Sequence, residues 1–197
     1  MVKGIVLAGG SSSRMGRNKA IIELLGVPLL IRQIEKLQQA LGEEAEILVS
    51  VREPGVLPLP KGARYVKDLV PNEGPVMGLY SCMQEIDEGH VLMIGVDLPR
   101  MDVETLQELV QAIEPGVGVA PCYEKKDFFE PMTAIYPVEM KSLLAGYLDT
   151  GRRSFQELIR MGVDSGHLKK YEISPEKARK FMNVNCPEDL KEFIEEK

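Results

Sequence analysis

Short apolar runs bounded by turn signals alternate with segments of helical period along almost the whole chain, and this alternation leaves few folds open. Lys3 to Ala8 reads as a strand that ends at Gly9-Gly10. Pro28 opens a helix whose apolar positions Leu30, Ile34, Leu37 and Leu41 recur at helical spacing before Gly42 closes it. Ile47 to Val51 and Ala63 to Val66 read as strands, and Gly74-Pro75 begins a helix through Met83 to Ile86. Val91 to Val96 is an apolar, β-branched run of the kind buried on both faces of a parallel sheet. Asp102 caps a helix through Leu106, Leu109 and Ile113. Val117 to Ala120 and Met132 to Tyr136 predict strands, Val138 to Leu148 and Ser154 to Met161 predict helices, and a last helix starts after Pro187. The pattern predicts an α/β fold of three layers, a mostly parallel central sheet with helices on both faces. With 197 residues, 44% of them hydrophobic, the chain suffices for a single domain spanning 1–197.

Ligands of such sheets sit beyond the carboxyl ends of the strands. The unusual residues fall there: Gly9 to Lys19 after the first strand, Ser50 at the second, Asp97 after the Val91 to Val96 run. In Val6-Leu7-Ala8-Gly9-Gly10-Ser11-Ser12-Ser13-Arg14-Met15-Gly16-Arg17-Asn18-Lys19-Ala20, glycines and serines leave backbone amides open to phosphate oxygens. Arg14 as a planar fork and Lys19 as a point charge can hold the remaining charge of a triphosphate. Two better-known loops do not fit. Lys19 is preceded by Asn18 and followed by Ala20, so there is no P-loop Gly-Lys-Ser/Thr, and Gly9-Gly10-Ser11-Ser12-Ser13 does not supply the dinucleotide G-x-G-x-x-G. Asp97, ending the most apolar strand beside Pro99, is a hard oxygen ligand suited to magnesium. Glu130, Asp127, Lys125 and Lys126 read as a solvated charged loop or at most a substrate rim.

Composition narrows the chemistry. Two histidines, His90 and His167, exclude a His-rich metal cage or a conventional catalytic triad, and both read as surface or edge residues. Cys82, Cys122 and Cys186 form no C-x-x-C pair, which reads as reduced thiols of a cytoplasmic protein, with Cys82 packed on its helix. The net charge of −6 argues against a general nucleic-acid or anionic-membrane binder. No apolar run is long enough to span a bilayer, and the first residues lack a signal-peptide profile.

Four ordered blocks carry a resemblance. The stretch Leu7 to Lys19, Asp68 followed by Gly74-Pro75-Val76-Met77-Gly78-Leu79, Gly95-Val96-Asp97-Leu98-Pro99, and Asn183-Val184-Asn185-Cys186-Pro187-Glu188-Asp189 resemble the signatures of nucleotidyltransferases related to molybdenum cofactor guanylyltransferase. The resemblance implies a Rossmann-like nucleotidyltransferase fold whose N-terminal half binds nucleotide and whose C-terminal half binds the acceptor. It implies nucleotide contacts from Leu7, Ala8, Gly9, Gly10, Lys19, Ser50 and Asp68, and from Asp97 through a magnesium ion. Arg14 and Gly16 fall at positions important for activity, Asn183 and Asn185 lie near metal or acceptor, and Arg152 and Arg153 resemble a basic site for a second anionic substrate. Two departures stand out: Ser50 occupies a position where the family can have Asn, and Cys186 replaces Thr before Pro187, where it is a poorer helix N-cap.

The implied reaction is transfer of GMP from GTP to molybdopterin with release of pyrophosphate. The attacking phosphate monoester has a second pKa of about 6 and is already anionic near neutral pH, so no general base is needed. Positioning and charge stabilisation carry such a reaction. A related nucleotidyltransferase using CTP or another phosphorylated acceptor is the alternative, and a non-catalytic nucleotide-binding protein is a further one. The implied partners are GTP, molybdopterin and, transiently, molybdenum cofactor biosynthesis proteins or apo-molybdoenzymes.

Overall fold

The computed structural model describes residues 1–9, 19–55, 57–123, 128–184 and 189. In chain order these contain β1 (Val2–Leu7), a hairpin of β2 (Glu23–Leu24) and β3 (Val27–Pro28), α1 (Leu29–Leu41), β4 (Ile47–Val51), β5 (Ala63–Lys67) and α2 (Pro75–Gln84). There follow β6 (His90–Gly95), α3 (Val103–Gln111), β7 (Gly118–Tyr123), β8 (Thr133–Pro137), α4 (Lys141–Asp149), α5 (Phe155–Asp164) and β9 (Leu168–Ile173). Seven strands make one sheet in the order β5-β4-β1-β6-β8-β7-β9.

Side-chain alternation along β1 and β6 creates the three layers. Ile5, Leu7, Val91 and Met93 face a core shared with Val76, Leu79 and Met83 of α2, Leu144 and Tyr147 of α4, and Leu158 and Ile159 of α5. Val6, Leu92 and Ile94 face the opposite core with Leu30, Ile34 and Leu37 of α1 and Leu106 and Leu109 of α3. Each of these fully buried aliphatic side chains contributes roughly 1.5–3 kcal/mol of transfer free energy. The helix starts follow capping chemistry. Asp102 accepts from the Thr105 amide at 3.0 Å, and Ser154 accepts from the Glu157 amide at 3.4 Å. Gly74, with φ of 79°, turns the chain into Pro75 at the first turn of α2.

The expectation of parallel neighbours for the Val91 to Val96 run holds on one side only. β6 is parallel to β1 but antiparallel to β8, which also runs antiparallel to β7. A strand buried on both faces has the same apolar composition whichever way its neighbour runs, so periodicity carries no direction. The short return from β7 to β8 decides it, since a parallel pair needs a longer crossover. His90, expected at the surface or an edge, is 7% exposed at the first position of β6, where its amide donates to the Met1 carbonyl at 3.1 Å. β9 escapes a sequence reading because its middle, Lys169 to Glu172, is charged and half exposed; it is an edge strand paired to β7. The β2–β3 hairpin has strands of only two residues, too short to show a period, and its two-residue turn puts Leu25 and Gly26 at φ of 53° and 76°. The last helix expected after Pro187 lies outside the described residues, apart from Asp189. Among the described residues no helix is long and apolar enough to cross a membrane.

Candidate active site

The carboxyl ends of β4, β1 and β6 converge. The Ala8 amide donates to the Ser50 carbonyl at 3.1 Å and the Val96 amide to the Leu7 carbonyl at 3.2 Å, so β1 leaves the sheet pinned from both sides. These bonds engage Leu7 and Ala8 in the sheet, and Gly9 begins the loop beyond them. Gly10, Arg14, Gly16 and Asn185 fall outside the described residues, as do Lys125, Lys126, Asp127 and Cys186.

Asp97 stands at the turn after β6, 3.1 Å from the Lys19 ammonium through Oδ2. Lys19 also donates to the Val184 carbonyl at 3.0 Å, and the Val184 amide donates to the Asp97 carbonyl at 2.8 Å. The first and last sequence blocks therefore meet on Asp97 across most of the chain length, with the exposed Asn183 next to the junction. A Cβ at Gly95 would lie 2.8 Å from Asp97 Oδ1, so glycine at that position leaves room for the carboxylate. From beneath, α1 fixes the same turn: the buried Gln33 amide donates to the Leu98 carbonyl at 2.8 Å and Lys36 to the Pro99 carbonyl at 2.9 Å. The signal that marks Gln33 in the sequence is a glutamine on the apolar stripe of Leu30, Ile34 and Leu37.

On the other side of β1, Ser50 is buried and its hydroxyl donates to Asp68 Oδ1 at 2.7 Å. Burial raises the Asp68 carboxyl above its ordinary range, against the opposing pull of the Ser50 hydroxyl and the Arg52 charge. The loop after Asp68 is tethered to α2, where the Leu69 amide donates to Ser81 Oγ at 2.9 Å.

Glu130 corrects a sequence expectation. It is half-buried and accepts from the Tyr123 hydroxyl, burial raises its carboxyl above the usual range, and its amide donates to the Pro121 carbonyl at 2.8 Å, so Glu130 is tied to β7 rather than freely solvated. Arg153 is engaged as well. It pairs with Glu73 and donates to the Leu148 carbonyl at 3.0 Å, leaving the exposed Arg152 as the more open cation of that pair. A carboxylate partner far along the chain is invisible in a sequence, which is why both arginines read alike.

No group of three or more His, Cys, Asp or Glu suited to a metal occurs among the described residues. A single carboxylate nonetheless suits magnesium, which keeps waters and takes substrate phosphates rather than demanding an all-protein cage. Asp97 fits that role, being 18% exposed in its side chain and held at a rigid strand end.

The family model of the MobA-like NTP transferase domain matches residues 4–166. A protein of Opitutus terrae named "Probable molybdenum cofactor guanylyltransferase" is 30% identical over 189 residues, covering 94% of this chain and 91% of its own. The crystal structure of molybdopterin-guanine dinucleotide biosynthesis protein A from Archaeoglobus fulgidus superposes with a TM-score of 0.72 at 20% identity, over 99% of this chain and 100% of that one. The 4-diphosphocytidyl-2C-methyl-D-erythritol synthase of Anaerococcus prevotii gives 0.71 at 15% identity, over 99% and 96%. The two solved structures share the fold, and the fold alone does not distinguish a guanylyl from a cytidylyl enzyme.

Proposed function

We propose, from the premise that the chain belongs to the MobA-like NTP transferase family and is a nucleotidyltransferase, that it transfers GMP from GTP to the phosphate of molybdopterin and releases pyrophosphate. The observation that carries the reading is the meeting of Lys19, Asp97 and Val184 at one sheet edge, opposite Asp68 across β1. Residues 1–197 act as one nucleotidyltransferase domain, the N-terminal half holding nucleotide and the C-terminal half the acceptor.

The chain supplies position and charge. Lys19 and Arg14 neutralise the triphosphate, the glycine- and serine-rich loop offers it backbone amides, and Asp68 meets the nucleoside. Asp97 would hold magnesium, which when bound supplies Lewis-acid stabilisation of the phosphate oxygens. Arg152 lies on the acceptor side, with Asn183 and Asn185 near the metal or acceptor. Because the attacking phosphate is already anionic, the chain needs no base, which agrees with its two histidines standing in β6 and just before β9 rather than beside Asp97.

The test is incubation with each of the four nucleoside triphosphates, magnesium and molybdopterin, followed by product mass. A GMP adduct of molybdopterin formed with GTP is the expected product. Turnover with CTP but not GTP overturns the nucleotide assignment, and no turnover with any of them overturns the reaction.

A further inference from the structure

We propose that Ser50 is a positioning residue that works through Asp68, and that the missing side chain at Gly78 is what lets it do so. The inference rests on the nucleotidyltransferase reading above. Ser50 is 2% exposed, and its hydroxyl is engaged within the fold, donating to Asp68 Oδ1 at 2.7 Å. A Cβ at Gly78 would lie 2.4 Å from Ser50 Oγ and 3.1 Å from a Leu7 methyl. Glycine inside a helix is disfavoured relative to alanine. At this position α2 gains in exchange a close approach that leaves the hydroxyl its place.

The consequence concerns the free oxygen. The outer torsion of an aspartate is broad, so an untethered carboxylate samples many directions. With Oδ1 tied to Ser50, Oδ2 is directed toward the exit of β1, 3.4 Å from where a Cβ at Gly9 would stand. The Arg52 charge acts on the same carboxylate, and burial pushes the nearby Cys82 thiol up and keeps it neutral. An oxygen that only accepts repels phosphate and recognises N–H or O–H donors. Asp68 therefore reads the nucleoside end, by the amino group of the base or by the ribose 2′-hydroxyl, while Lys19 on the far side of β1 serves the phosphates.

Titration calorimetry on wild type, Ser50→Ala, Gly78→Ala and the double variant tests this, with GTP, dGTP, inosine triphosphate (which lacks the guanine amino group) and inorganic tripolyphosphate as ligands. Ser50→Ala is expected to bind GTP about tenfold more weakly and tripolyphosphate as wild type does, the loss of one hydrogen bond to a charged acceptor. Gly78→Ala should give the same pattern, because its methyl displaces the hydroxyl. The double variant should bind no more weakly than either single one and melt above Gly78→Ala, since the methyl then fills the vacated space. Wild type should disfavour inosine triphosphate if the base is read or dGTP if the ribose is, and Ser50→Ala should lose that preference. Unchanged GTP affinity in Ser50→Ala, or equal losses of GTP and tripolyphosphate, overturns the role given to Ser50. Equal affinity of wild type for GTP, dGTP and inosine triphosphate overturns the donor assignment. A wild-type chain that binds none of the nucleoside triphosphates overturns the nucleotidyltransferase reading beneath it, a different result from either.

Discussion

Replacing Lys19 with methionine keeps most of the methylene stem and removes only the ammonium. As a loop cation, Lys19 would contribute little to folding, and the substitution would touch ligand binding alone. The structure reverses that expectation. Lys19 and Asp97 are 17% and 18% exposed in their side chains, so the pair is largely removed from water. Without the ammonium, the Asp97 carboxylate loses this cation at a mostly buried strand end, and the Val184 carbonyl loses this donor. A hydrogen bond to a charged group contributes about 1.5–3 kcal/mol, whereas breaking a wholly buried pair costs about 3–5 kcal/mol. Screening by the remaining solvent places Lys19→Met near the lower range, at about 2 kcal/mol. For a chain of this length that corresponds to a fall of about 4–8 °C in Tm. The assay is differential scanning calorimetry without nucleotide. Lys19→Met/Asp97→Asn provides the decisive comparison: removing the stranded charge should restore about half of the loss, a coupling that independent sites do not show. A Tm within 1 °C of wild type for Lys19→Met, or strictly additive losses in the double variant, refutes the reasoning.

Asp97→Asn alone keeps size and one acceptor but removes the charge that magnesium prefers, so the transfer rate should fall about a thousandfold in a pyrophosphate-release assay. Glu108 accepts from the Tyr171 hydroxyl at 2.7 Å and pairs with Lys177, and the Lys177 and Tyr171 donors hold its carboxyl below the ordinary range. A depressed folded-state pKa confers stability above the unfolded value of about 4.3 that disappears as pH falls through the folded one. Glu108→Gln should therefore be less stable than wild type by at most about 1 kcal/mol near neutrality, with the gap closing in urea titrations as the pH drops below about 4. A Cβ at Gly118 would stand 2.0 Å from the Ile135 carbonyl oxygen, backbone that cannot swing aside between β7 and β8. Gly118→Ala should cost about 3 kcal/mol or more by urea denaturation, and a loss under 1 kcal/mol would show that the strands separate at little cost.

The sequence by itself determined the layers and the edge at which the chemistry gathers. Apolar period and capping residues are local properties, so α1, α2, α3 and the strands Ile47–Val51 and His90–Gly95 could be read from neighbours a few positions apart. The same holds for Asp102 as the cap of α3, and for the glycine-rich exit of β1. Tertiary structure decided what depends on distant partners. The antiparallel fit of β8 against β6 and the engagement of Arg153 by Glu73 are pairings across tens of residues, and the burial of His90 likewise depends on distant neighbours. Ser50 shows the division within one residue. Its position at a strand end was legible, but its hydroxyl's partner Asp68 and the space opposite at Gly78 exist only once β4, β5 and α2 are packed together. Lys19 shows it again: its charge at the end of the glycine- and serine-rich stretch was legible, while its burial against Asp97 and Val184 required the C-terminal block to return to the end of β6.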